Sequence, residues 1–97
     1  MEPGRIQTMF EIADDITHET ANSVLKTGLK RIAEGATSVN CAALRQFDSS
    51  ALAVLLAWRR AALKRGSTLV AVNVPVALAS LARAYGVDTV AFGDAAV

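Results

Sequence analysis

The sequence predicts an α/β domain on a mostly parallel sheet, and three observations carry that expectation. Short apolar runs alternate with longer stretches of helical periodicity, in the order strand, helix, strand, helix, strand, helix. Alternation of this kind implies parallel strands joined by right-handed crossovers. Each helical stretch stops at a glycine, Gly35, Gly66 or Gly86, the residue type that closes helix C-termini. The third observation is bulk: 97 residues, 53% hydrophobic and 20% charged, are enough for one buried core and too apolar for a disordered chain. One domain over residues 1–97 follows, with an ordered core of about 6–92 and no linker, repeat or low-complexity segment.

The first strand is expected over Ile6–Ile12, after a loose start at Met1–Arg5 that contains Pro3 and Gly4. Asp14-Asp15-Ile16-Thr17 forms the exit turn, with Thr17 as helix cap and Glu19 in the first turn. Helix one then runs to about Glu34, with Ala21, Leu25, Leu29, Ile32 and Ala33 as its apolar stripe and Lys26, Lys30 and Arg31 toward solvent. A second, interior strand spans Thr37–Ala43, with Val39, Cys41 and Ala43 on one face. Helix two covers Ser49–Arg65, and a third strand Ser67–Asn73. Helix three opens at Asn73-Val74-Pro75, with Pro75 in its first turn and Leu78, Leu81, Ala82 and Tyr85 in register. Asp88–Phe92 reads as a last short strand or extended tail, and Gly93–Val97 as a frayed end.

The composition removes several function classes. A net charge of +1 gives no overall electrostatic footprint for nucleic acid or an anionic membrane. Arg59, Arg60, Lys64 and Arg65 cluster, but at a helix C-terminus, where cations complement the dipole. One cysteine, Cys41, allows neither an internal disulfide nor a multi-cysteine metal site. No apolar run approaches the ~20 residues that span a bilayer. Met1–Thr8 has no basic-then-apolar leader pattern, so a cytoplasmic location is expected. No glycine-rich loop ends in Lys-Ser or Lys-Thr, and no cofactor is expected. Adjacent Asp14 and Asp15 read as solvated turn caps rather than a cation site. Ser50, His18 and Asp48 supply the residue types of a hydrolase triad, but no nucleophile-elbow glycines flank the serine.

The candidate site is Asp48-Ser49-Ser50-Ala51-Leu52, directly before the apolar run Ala53-Val54-Leu55-Leu56-Ala57-Trp58. Asp and Ser accept from the first backbone N–H groups of a helix, and that end also attracts anions. A phosphoryl group on Ser49 or Ser50 would add about −1.5 to −2 charges there, opposed by Asp48, and alter a contact surface without refolding the domain. Helix two is apolar almost all round: Leu52, Leu56 and Leu63 lie together, while Val54 and Trp58 point elsewhere. One sheet cannot cover that circumference, so a neighbouring helix or another protein must.

Asp48-Ser49-Ser50-Ala51-Leu52 resembles the Asp-Ser-Ser-Gly-Leu signature of STAS domains, with Ala51 in place of glycine. Ile12-Ala13-Asp14-Asp15-Ile16-Thr17 resembles that family's Leu-x-Gly-x-Leu-Thr/Asp turn, with Asp14 for glycine. The stretch from Asn73-Val74-Pro75 through Leu78 and Leu81-Ala82 to Tyr85-Gly86-Val87-Asp88 resembles the MlaB-type branch, the STAS subunit of bacterial Mla phospholipid ABC transporters. The resemblance implies a STAS-like fold: a mixed, mostly parallel sheet with helices mainly on one side, and no catalysis. It implies an adaptor that binds the transporter's cytoplasmic ATPase subunit through the start of helix two. Asp48, Ser49, Ser50, Ala51, Leu52, Leu56 and Tyr85 are the expected contact residues, with Leu52 and Leu56 as an outward row. In the more distant anti-sigma factor antagonist branch, a partner kinase phosphorylates the second serine, here Ser50. A homodimer is a further possible cover for helix two; nucleic acid and membrane insertion are not expected.

Overall fold

The computed structural model describes residues 9–12 and 15–87. Three strands, β1 (Met9–Glu11), β2 (Ser38–Asn40) and β3 (Val70–Val72), alternate with α1 (Ala21–Ala33), α2 (Ser50–Lys64) and α3 (Val76–Ala84). The strands lie in the order β1-β2-β3, and both pairings are parallel. Phe10, Val39 and Ala71 share one register row, and all three are buried. The flanking rows, Met9-Ser38-Val70 and Glu11-Asn40-Val72, are exposed or half-buried. Successive residues of a strand point to opposite faces, so among the described residues the core lies against one face of the sheet. Right-handed crossovers between strands taken in sequence order put α1 and α2 together on that face.

The strands are shorter than the sequence suggests. Ala43 is exposed in a turn, so the second strand stops before it; only Val39 and Cys41 of its expected face are buried. Burial pushes the Cys41 thiol up to about 11, which leaves it protonated and inert as a nucleophile at neutral pH. The expected positions of Ile6, Asp14 and the 88–92 strand lie outside the described residues.

Helix one begins a turn later than Thr17. The Ala21 N–H donates to the Thr17 carbonyl (2.8 Å), and Thr17–Thr20 form a separate turn. The Thr20 hydroxyl organises that turn: it donates to the Asp15 carbonyl (2.6 Å) and accepts from the Thr17 N–H (2.9 Å). Glu19 therefore precedes the helix instead of lying in its first turn. The buried stripe is also rotated from the expected one. Val24, Gly28 and Ile32 face inward, Ala21 and Leu25 flank them, and Leu29 and Ala33 are exposed.

The rotation follows from what α1 packs on. Trp58 of α2 is fully buried, its ring edge-to-face with Phe10 at 5.2 Å between centroids. Its indole N–H donates to the Leu25 carbonyl (3.0 Å). A Cβ at Gly28 would overlap indole atoms Cε2, Cζ2 and Nε1. Gly28 is thus a hole cut for Trp58, and a neighbouring helix of the same chain covers this side of α2.

All three helices end alike. After α2, Gly66 (φ +76°) donates to the Leu63 carbonyl (2.9 Å) and Ser67 to the Ala62 carbonyl (2.9 Å). This paired closure needs a left-handed residue after the last turn, which glycine adopts without Cβ strain. The same two bonds close α1 at Gly35 and Ala36, and α3 at Gly86 and Val87. Pro75 caps α3 one position before its first turn, with Leu78 and Ala82 buried and Leu81 half-buried. Among the described residues no helix is long and apolar enough to cross a membrane.

Candidate functional site

Parallel strands deliver the starts of α1 and α2 to the same end of the sheet, and a second small ladder zips them together there. Ile16 and Phe47 form an isolated parallel bridge. Its backbone bonds run from Ile16 N–H to the Gln46 carbonyl (3.1 Å) and from Asp48 N–H to the Ile16 carbonyl (3.2 Å). Two carboxylates extend it. Asp15 Oδ1 accepts from the Gln46 N–H (3.1 Å), and Asp48 Oδ2 accepts from the His18 N–H (3.1 Å). Asp15 is therefore a bracing acceptor rather than a solvated cap, and Gln46 and His18 enter the site through their backbones. Composition could not show this, because the bonded groups stand about thirty positions apart; Asp15 and Asp48, each beside a turn, were the available signals.

Asp48 is the hub. Its Oδ1 accepts from the Ser50 N–H (2.9 Å) and from the Ser50 hydroxyl. The carboxyl is held below the usual carboxylate range, first by the Ser50 hydroxyl, then by the Ser50 N–H. The His18 backbone N–H and the imidazole, Nε2 4.0 Å away, add smaller contributions in the same direction.

Ser49 occupies the cap position of α2, yet its side chain makes no capping hydrogen bond. Asp48 does that work from one residue upstream. The remaining N–H groups of the first turn are also engaged: Ala51 donates to the Asp48 carbonyl (3.0 Å), and Leu52 and Ala53 to the Ser49 carbonyl (3.1 and 3.4 Å). The bare donors that would hold an anion at a helix start are thus already occupied.

The contact residues expected from the sequence separate into three groups. Asp48 and Ser50 are half-exposed and Ser49 is exposed, so the turn faces solvent. Ala51 and Leu52 are buried, Leu52 being 3% exposed, which overturns the outward row that included Leu52. At this point of the helix the buried side carries Ala51, Leu52 and Leu55, and solvent meets Ala53, with Leu56 half-buried. Tyr85 stands 61% exposed at the end of α3, and no hydrogen bond or ion pair among the described residues joins it to the Asp48 turn.

The same geometry speaks to hydrolysis. Ser50 gives its hydroxyl proton directly to Asp48, while the His18 ring is 83% exposed and touches the other carboxylate oxygen at 4.0 Å. A triad needs the imidazole between serine and carboxylate. Among the described residues no three His, Cys, Asp or Glu side chains gather as a metal site.

The model of one protein family, described as "Mlab, STAS domain", matches residues 4–93. No curated protein and no solved structure matched the chain. The match covers nearly the whole length, including the β1–α1 turn, the Asp48 turn and α3. Three parallel strands with three helices in a small α/β domain agree with it. The chain belongs to the MlaB-type STAS domain family.

Proposed function

We propose that this domain is a non-enzymatic adaptor that docks on the cytoplasmic ATPase subunit of an Mla-type phospholipid ABC transporter, using the Asp48-Ser49-Ser50 turn. Family membership supports a regulatory or adaptor role exercised through protein contacts. One observation carries the choice of surface: the Ser49 side chain is exposed and makes no capping hydrogen bond, on a turn that Asp48 locks from both sides. A rigid, solvent-facing tip loses little freedom when it binds. Leu56, half-buried one to two turns along α2, extends the patch, and Tyr85 is a candidate second contact.

A second reading has its own support. The half-exposed Ser50 hydroxyl is bonded to a carboxylate. A phosphoryl group there would break that bond and set two anions side by side. That chemistry suits an anti-sigma factor antagonist switched by a partner kinase.

The test is co-elution of the full chain with the ATPase subunit from the same genome. Ser49→Arg, which places a long cation on the exposed tip, abolishes co-elution while circular dichroism stays native. Ser50→Glu does the same by charge. Unchanged co-elution of Ser49→Arg would remove the tip from the interface. Phosphate incorporated at Ser50 by a genome-encoded Ser/Thr kinase would move the assignment to the antagonist reading.

A further inference from the structure

We infer that the end of the α1/α2 layer opposite the Asp48 turn is a peripheral contact surface for anionic phospholipid. The two helices start together at the C-terminal end of the sheet and end together at the other, where the Arg65 guanidinium donates to the Ala33 carbonyl (3.1 Å). Lys30, Arg31, Arg60, Lys64 and Arg65 are all exposed in the closing turns of these helices. Among the described residues there the carboxylate is Glu34, which pairs with Arg31 at 3.3 Å and leaves the cations in excess. At the starting end stand Glu11, Asp15, Glu19 and Asp48, with Arg45 as the cation among the described residues there.

Net charge conceals this segregation. The 15 residues of α2 place its ends about 22 Å apart. Charges in solution are screened beyond ~10 Å at ordinary ionic strength. An approaching surface therefore meets one end or the other and not their sum.

The apolar exposure chooses lipid over other polyanions. Leu29 and Leu63 are 36% and 56% exposed, and each directly precedes two cations, Lys30-Arg31 and Lys64-Arg65. Cations beside exposed leucines match the boundary between anionic headgroups and acyl chains. A nucleic-acid surface would leave those leucines in water. Because the acidic turn lies at the far end, lipid contact and protein docking do not compete for one surface.

Sedimentation of the full chain with vesicles tests this. With phosphatidylcholine vesicles containing about one third phosphatidylglycerol at low salt, the protein pellets; with pure phosphatidylcholine it does not, and raised salt releases it. The partition coefficient falls about fivefold for each cation lost, so Arg60→Glu with Lys64→Glu lowers it more than tenfold. Leu63→Ser lowers it several-fold with charge unchanged. Glu19→Lys, at the other end, leaves it within twofold. Should the α2 pair fail to fold by circular dichroism, Lys30→Glu on α1 reads the same surface. Vesicle binding that survives the charge reversals, or binding to polyglutamate or RNA unaffected by Leu63→Ser, would overturn the assignment to lipid.

Discussion

Two regions join α1 to α2, and they do it by opposite physics. Midway along the helices, Trp58 fills the gap left by Gly28, shielded from water and anchored by one hydrogen bond to Leu25. At the helix starts, Asp48 gathers the Ser50 hydroxyl and the N–H groups of Ser50 and His18 in partial contact with water. The first region is shape, and its energy comes from apolar area and close packing. The second is directed bonding, and its effect is to fix an angle and a surface. Most of the packing energy resides in the first region, and the docking proposed above uses the second.

The largest effects should come from breaking the shape. Trp58→Ala empties the centre of the core and costs about 4 kcal/mol, read as a shifted urea midpoint. Gly28→Ala forces a methyl into the indole and costs about 2–3 kcal/mol. The two sites are coupled: with Trp58→Leu in place, the methyl added by Gly28→Ala costs much less, and the double mutant is more stable than the sum of its singles predicts. Simple additivity would mean that Gly28 is needed for some reason other than the indole.

Breaking Asp48 should act locally. Asp48→Ala leaves the Ser50 and His18 amides without their acceptor, so their hydrogen exchange accelerates while the Trp58 indole N–H stays protected. Uniform acceleration at all three would show that the two regions form one cooperative unit. The charge can be separated from the geometry by pH. The Asp48 carboxyl is depressed in the fold, so its ionisation stabilises above the ordinary aspartate value of about 4. That contribution disappears as pH falls through the lower folded value. Asp48→Asn should therefore melt below the native chain at neutral pH, and the gap should close on acidification below about pH 4.

How much of this is legible in the sequence depends on whether the signal is periodic or relational. Strand centres, helix ends and glycine closures are periodic or local, and Val39, Ala71, Gly35 and Gly66 stand where the pattern puts them. The α1 stripe differs from the expected one because a periodic pattern counts bulky side chains. Gly28 contributes by having none, and only the location of Trp58 shows why. Helix two is too apolar for one sheet, as its sequence indicates, but α1 takes much of the excess. The Asp48 turn is legible as a cap, whereas the bracing by Asp15, Gln46 and His18 joins segments about thirty residues apart. Assigning the cap to Ser49 or to Asp48 is a matter of geometry, since both residue types suit it.

That last distinction gives the smallest effect and the sharpest test of the division between regions. A serine in the cap position of a helix is worth ~1 kcal/mol over alanine when its oxygen takes a backbone N–H. Ser49 takes none with its side chain, because Asp48 has already engaged the Ser50 N–H with its carboxylate and the Ala51 N–H with its carbonyl, and the Ser49 carbonyl accepts from Leu52 and Ala53. Ser49→Ala should then change stability by less than about 0.5 kcal/mol, the range of an ordinary surface substitution. A loss near 1 kcal/mol would return the capping role to Ser49 and merge its function with the fold. With stability unchanged, any loss of partner binding in Ser49→Arg belongs to the surface, because the residue has no structural duty for the substitution to disturb.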